Sequence, residues 1–313
     1  RVAPIKIEGQ EVRGIIIAVP ITARQMLDNR TLALRHIQRA VCFAEKFGVS
    51  VIGLGALTAS LSHGGTKLET KNARITTGRL FTAMTVVSLA KRAVETLSYN
   101  PKNIRVGIVG AAGSIGSASA QLLAKAGYTS FTLIDLSGNL KKLQTLKDTL
   151  QKINPAVSIS LSENVDDVAG HSLIITATSK DGALIKEKHV TPGTIVVDDA
   201  QPPDTEPELC KRNDMLVLSG GAVYAPTVSV PFYMGMSDPQ TIYSCMAETL
   251  LVALDSNLEG SKTGELREIS FDAVSELEQA AKKFGFGNAP FQNEIRTYSN
   301  NDIELVKKVA LHS

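Results

Sequence analysis

Arg105-Val-Gly-Ile-Val-Gly110-Ala-Ala-Gly113-Ser-Ile-Gly116 joins a branched apolar run to three glycines spaced three residues apart. Ile104–Val109 reads as a buried strand, and Ser114–Ala126 as a helix opening directly after the glycine turn. A strand that passes through such a turn into a helix is the first half of a nucleotide-binding βαβ unit. Small residues let the backbone approach a pyrophosphate, and the helix N-terminus offers unpaired N–H groups and a positive dipole end. Gly110, Ala111, Gly113, Ser114, Ile115 and Gly116 are therefore candidate cofactor-binding residues. The next strand, Ser130–Ile134, delivers Asp135, 25 residues after Gly110. A carboxylate there holds the adenosine ribose diol and repels a 2′-phosphate, which leans the cofactor toward NADH. Lys141 and Lys142 soften that repulsion, and a solvent-facing strand-end Asp is the plain alternative.

Outward from this unit the rhythm repeats. Val157–Leu161, Ser172–Thr176, Thr194–Val197 and Met215–Leu218 read as further strands, and Asn139–Lys152 as a helix. Short apolar strands alternating with helices predict a doubly wound parallel sheet of the Rossmann type. Ile174-Ile-Thr176-Ala177-Thr178-Ser179 and Gly220-Gly221 follow strands and are placed at the cofactor cleft, with ordinary turn chemistry as their other reading. Asn100-Pro101 marks a boundary. Before it, residues 5–19 predict two strands around Glu-Gly-Gln. Thr31–Phe47 and Thr77–Leu97 predict long helices, and residues 49–55 a short strand. After it, Pro239–Asp255, Glu265–Phe284 and Asp302–Leu311 predict helices. The expected organisation is an N-terminal α/β substrate lobe over 1–100 and a Rossmann domain over 101–236. Helices over 237–313 then pack back on the first lobe.

Composition narrows the function. Lys and Arg total 33 against 31 Asp and Glu, a net charge of +2, and there is no Trp. A nucleic-acid partner needs a basic face or a stacking platform, and neither is indicated. The three cysteines lie far apart and five His never form His-Glu-x-x-His, so no disulfide framework or metal site is expected. No apolar run approaches the ~18 residues of a membrane span. A cytoplasmic location is expected. The chain opens on Arg1 instead of Met, which fits a domain of a longer protein.

The Gly-x-x-Gly-x-x-Gly spacing also occurs in extended short-chain reductases, but the Tyr-x-x-x-Lys pair those enzymes need is missing. Cys245 is the cysteine with chemical context. A helix capped by Ser237 or Asp238, with Pro239 first, puts it in the second turn, where the dipole helps a thiolate only modestly. On residue chemistry alone, a small buried core cysteine is the stronger reading.

The ordered series Ile52–Ser60, Arg74-Ile-Thr76-Thr77-Gly78 with Thr82-Ala83, Val109–Ser117, Leu218–Gly221 and Cys245-Met-Ala-Glu-Thr-Leu-Leu251 resembles the long-chain acyl-acyl-carrier-protein reductase family. That family is sometimes labelled predicted amino-acid dehydrogenases. The resemblance implies NAD(P)H-dependent reduction of an acyl thioester to an aldehyde, with Cys245 as the thioester-forming nucleophile and Thr76, Thr77 and Gly78 at the substrate. It implies acyl-carrier protein or acyl-CoA as donor and leans toward NADPH. The departures are Arg79 and Phe81 where the family carries Asn and His, Ala225 where it carries His, and Asp135-Leu-Ser137 where it carries Arg. The alternative is a shikimate or amino-acid-type dehydrogenase with direct hydride transfer, for which Lys67 and Lys71 are the candidate proton-transfer lysines. A non-catalytic nucleotide-binding domain is the other rival. His63 is a weaker candidate base.

Overall fold

In the computed structural model, residues 2–7, 13–179, 182–230, 233–236, 238–264 and 267–311 are described. The elements in order are β1 (Val2–Ile7), β2 (Arg13–Ile17), α1 (Ala23–Asp28), α2 (Arg30–Glu45), β3 (Val51–Gly53), α3 (Leu57–Leu61), β4 (Arg74–Thr76) and α4 (Arg79–Thr96). β5 (Val106–Val109), α5 (Ser114–Lys125), β6 (Ser130–Ile134), α6 (Leu140–Ile153), β7 (Ser158–Ser162), β8 (Leu173–Thr176), β9 (Ile195–Asp198) and β10 (Leu216–Ser219) follow. β11 (Ala222–Tyr224), β12 (Val228–Ser229), β13 (Thr241–Tyr243), α7 (Ser244–Leu254), α8 (Phe271–Lys283), β14 (Gly287–Asn288) and α9 (Asn300–Ala310) complete the chain.

The apolar runs do what their composition dictates. β5, β8 and β9 are buried on both faces and lie inside a six-stranded parallel sheet of order β7-β6-β5-β8-β9-β10. This is the doubly wound α/β order, with its switch point between β5 and β8. One face packs Ile108, Leu133, Ile175 and Val197 against Val86–Val94 of α4 and Leu123 of α5. The other packs Val109, Ile174, Val196 and Val217 under Val168, Ile185 and Leu209.

A second core gathers Leu80–Met84, Val223, Leu250, Leu251 and Leu277 from α4, β11, α7 and α8. Helix α4 thus serves both cores, its first half one and its second half the other. β3 and β4 form a parallel pair, and α7 lies against β3 and α4. The approach to β3 is close: a Cβ on Gly53 would stand 1.9 Å from Thr249 Oγ1.

Three expectations shift. The parallel sheet ends at Ser219, because β11 turns away to pair antiparallel with β13 and β14. α9 packs on the parallel sheet's core, to which α4 of the first lobe also contributes. Val306 and Tyr298 are buried there, and the Tyr298 hydroxyl accepts from Val217 N at 3.0 Å. The helix expected from Pro239 starts at Ser244 instead. Asp238 Oδ1 accepts from Gln240 N and the Asp238 carbonyl accepts from Thr241 N, a turn that hands the chain to β13. Ser237, the other expected cap, and the Glu-Gly-Gln turn lie outside the described residues.

Candidate active site

Starting α7 at Ser244 moves Cys245 from the second turn to the first. The backbone N–H groups of Met246 and Ala56 lie near enough to Sγ to favour the thiolate, without a full hydrogen bond to it among the described residues. Ala56 holds φ +49°, left-handed backbone that a non-glycine residue rarely adopts. Against this, burial pushes the thiol up to about 11, with help from the charges of Asp199 and Glu248. Protein surrounds most of the side chain, yet Cys245 keeps partial solvent access.

Two close approaches fix the backbone around the thiol. Gly78 has φ +66°, and a Cβ there would sit 2.4 Å from Cys245 Cα and 2.5 Å from its Cβ. Only glycine lets the N-terminus of α4 come this near. Glu248, one turn along α7 from Cys245 and 0% exposed, holds that approach in place. Its Oε1 accepts from Thr76 Oγ1 and Ser261 N; its Oε2 accepts from Phe81 N and Ser261 Oγ, at 3.0 and 2.8 Å. Ser261 Oγ in turn accepts from Leu80 N at 2.7 Å. Gly78, the N-cap of α4, has no side chain to satisfy these first-turn N–H groups, so Glu248 and Ser261 do so from a distance. Thr76 is therefore a buried strut, and Thr77 is buried too, its hydroxyl without a partner among the described residues.

The Gly220–Gly221 turn closes another side. Ser244 N donates to the Gly221 carbonyl at 2.7 Å, tying the turn to the start of α7. Gly221 has φ +62°, and a Cβ on it would meet Asp199 Oδ1 at 2.2 Å and Thr82 Cγ2 at 3.3 Å. Asp199 follows β9 at the carboxyl edge of the parallel sheet. Burial raises its carboxyl well above the usual carboxylate range, and Asp198 adds to the effect.

The glycine loop has the shape a pyrophosphate needs. Gly110 has φ +86°, and its missing Cβ leaves room for the Ala177 carbonyl oxygen, 2.7 Å from where that atom would lie. Gly116 packs on the Gly110 carbonyl, which a Cβ would meet at 2.4 Å. Gly113 caps α5 with no side chain to accept from the first turn. Ser114 and Ile115 stay half-exposed beside exposed Gly113, while Ala111 is buried in the sheet's core, so only its backbone can face a ligand. Arg79 reaches across from α4: its Nη1 donates to Ser114 Oγ at 3.1 Å and to the Gly264 carbonyl at 2.9 Å.

Asp135 accepts from Ala112 N at 2.8 Å and from Asn139 Nδ2 at 2.7 Å, bracing the loop while remaining half-exposed. Thr176 is fully buried and donates to Asp198 at 2.8 Å, so it positions the strand end and does not face the cleft. Ala177 and Thr178 flank Gly110, and Ser179 is exposed beyond them. Fold-implied NAD(P) thus fits the loop. His63, Lys67 and Lys71 are all exposed. Among the described residues no cluster of metal-ligating side chains occurs.

Sequence reasoning named Cys245, Gly78 and the glycine turns but missed Glu248, Asp199 and Ala56. Glu248 was legible in Cys-x-x-Glu, which puts both residues on one helix face. Nothing in the sequence marked the left-handed Ala56. Two cavities of about 470 and 270 Å³ lie elsewhere, one between α4, α5 and α8 and one beside Pro202, Cys210 and Asn293.

Residues 88–219 match the Shikimate / quinate 5-dehydrogenase family. The match begins inside α4 and ends with the parallel sheet. The chain is 28% identical over 287 residues to the Aminotransferase PigE of Serratia sp. (strain ATCC 39006), across 89% of this chain and 32% of that protein. It therefore spans about a third of that relative's length. It is 23% identical over 297 residues to the long-chain acyl-acyl-carrier-protein reductase of Synechococcus elongatus, across 90% of this chain and 82% of that one. Among solved structures, quinate dehydrogenase from Corynebacterium glutamicum in complex with NAD is 27% identical, with a TM-score of 0.31 over 39% of this chain and 45% of that one. The chain is dehydrogenase-like, with an NAD(P)-binding oxidoreductase-type fold. The family match favours the dehydrogenase alternative over thioester reduction. No helix among the described residues is long and apolar enough to cross a membrane.

Proposed function

We propose that this chain reduces an acyl thioester to an aldehyde, with Cys245 taking the acyl group. The observation that carries the reading is the seat of the thiol: first turn of α7, two backbone N–H groups near Sγ, and partial solvent access. Those N–H groups stabilise negative charge on sulfur as it attacks a carbonyl. Exchange of one thioester for another costs little free energy, and the acyl group is then held within the protein. Gly110, Gly113, Ser114, Ile115 and Gly116 would hold the pyrophosphate, with Ala177, Thr178 and Ser179 alongside, and Gly220–Gly221 near the reacting end. Bound NAD(P)H supplies the hydride that turns the acyl carbonyl into an aldehyde. The donor is an acyl group on acyl-carrier protein or coenzyme A, and Asp135 favours NADH. The similarity to the Synechococcus elongatus reductase supports this reading across most of the chain.

Intact mass after incubation with octanoyl-CoA, without reductant, tests it. The expected result is one acyl adduct, absent in Cys245→Ser, which still folds and binds cofactor. Near wild-type thioester reduction by Cys245→Ser would overturn the mechanism. The second reading, direct hydride transfer by a shikimate-type dehydrogenase, is favoured by the match over residues 88–219. It requires a lysine–carboxylate pair in the first lobe. Lys67 and Lys71 are exposed, and neither forms an ion pair among the described residues. Oxidation of a hydroxy acid by Cys245→Ala at wild-type rate would establish that reading.

A further inference from the structure

We propose that Asp199 is the proton partner of Cys245, taking the thiol proton as sulfur attacks and returning it as sulfur leaves. The inference rests on the thioester reading and names the proton route that the reading lacks.

The geometry comes first. Asp199 extends from β9 at the carboxyl edge of the parallel sheet, its N–H donating to the Thr176 carbonyl at 2.9 Å. Its carboxyl stands over Gly221, 2.2 Å from where a Cβ would be, so any side chain at 221 would expel it. The Gly221 carbonyl holds Ser244 N, the residue before Cys245. Neighbouring Asp198 is bound by Thr176 Oγ1, Ala200 N and Thr205 N, a strand-end anchor with its oxygens engaged. Asp199 differs: among the described residues its carboxyl makes no hydrogen bond, and it keeps partial solvent access. A carboxyl that is mostly surrounded, makes no hydrogen bond among the described residues and stands over the turn that holds the start of the nucleophile's helix is a poor structural group and a suitable proton carrier.

The charges agree with the placement. Asp198 raises the Asp199 carboxyl, while Asp199 and then Glu248 raise the Cys245 thiol. Burial is the larger cause for both. Neither group ionises easily while the other is charged, so a proton stays within the pair. Among the described residues no hydrogen bond joins them, so the transfer would run through a water that bridges the two groups.

The step balances. As Sγ bonds to the carbonyl carbon, the thiol proton passes to the Asp199 carboxylate. The carrier sulfur leaves with its electron pair and takes a proton from water. After hydride addition at that carbon, the Sγ–C bond breaks, the pair returns to Sγ, and Asp199 gives the proton back. The net reaction consumes one hydride and one proton.

Peptide-resolved alkylation by iodoacetamide across pH 5–11 tests the pairing without substrate. Exposed Cys42 is the internal control. Wild-type Cys245 should show a two-step profile. Asp199→Asn, which keeps the shape, should show a single step with its midpoint lowered by about one pH unit or more, and Cys42 should not change. An unchanged midpoint, or a two-step profile surviving in Asp199→Asn, overturns the proposal. The octanoyl-CoA adduct on the wild-type protein is read separately. If the alkylation profiles behave as expected and no adduct forms, the thioester reading fails while the proton pairing stands. If the adduct forms and the profiles do not differ, the pairing fails while the reading stands.

Discussion

Replacing Glu248 should loosen the site before it unfolds the protein, and the size of the effect follows from its contacts. Four donors converge on this carboxylate: Thr76 Oγ1, Ser261 N, Ser261 Oγ and Phe81 N. Hydrogen bonds to a charged group are each worth roughly 1.5–3 kcal/mol, but neighbours in one network do not add. Glu248→Ala strands two buried backbone N–H groups, removes the distant cap of α4 and leaves a cavity. Losing one partner from a buried charged network costs about 3–5 kcal/mol, and that is the loss expected from urea unfolding at pH 7.5. Glu248→Gln keeps one acceptor oxygen but turns an NH2 toward donors, so a loss of about 1–3 kcal/mol is expected. Both variants should also alkylate at Cys245 faster than wild type, because the Gly78 approach is no longer held. A loss below about 1 kcal/mol for Glu248→Ala, with unchanged Cys245 reactivity, would refute the claim that this carboxylate organises the site.

Gly113→Val should lower nicotinamide-cofactor affinity at least tenfold by calorimetry while the fold persists: even a Cβ there meets the Gly110 carbonyl at 3.1 Å, and the branches crowd the pyrophosphate approach. Asp135→Ala should shift the ratio of NADH to NADPH affinities toward NADPH by at least tenfold, with some loss for both because Ala112 N loses its partner. A ratio that does not move would show that Asp135 only braces the loop. Asp204 is fully buried, and burial is the main cause that pushes its carboxyl up to about 6. The folded value lies above the unfolded one, so its contribution is present below pH ~4 and lost as pH rises through about 6. Stability should therefore fall across that window by no more than about 3 kcal/mol, and Asp204→Asn should flatten that part of the profile.

The parallel sheet was legible because each of its central strands carries one physical signal, a short apolar run with no polar face. β6 was located to the residue. The small sheets were not. β11, β13 and β14 are two or three residues long, and β11 pairs with β13 across roughly 20 residues and with β14 across more than 60, contacts that no local pattern records. The start of α7 failed for a related reason. Asp238-Pro239 is a good helix opening, but the same residues also make a good turn. Pairing of Thr241–Tyr243 with β11 decides between them.

That competition has a chemical consequence. The β13 pairing shortens the helix at its N-terminal end and leaves Cys245 where backbone N–H groups are still unpaired. It also brings Ser244 N onto the Gly221 carbonyl, which places the start of α7 beside the carboxyl edge of the parallel sheet. From the other side, Gly78 and Glu248 bring α4 against the same turn. A cysteine that looks like core filling in one dimension lies, by these two approaches, at the start of a helix near two backbone N–H groups and the charge of Asp199. The glycines at 78 and 221 are thus requirements of the site, since a methyl group at either position would displace Cys245 or Asp199. The sequence shows the glycines plainly; what they make room for becomes visible only when residues distant in the chain, Gly78 and Cys245 above all, are brought together.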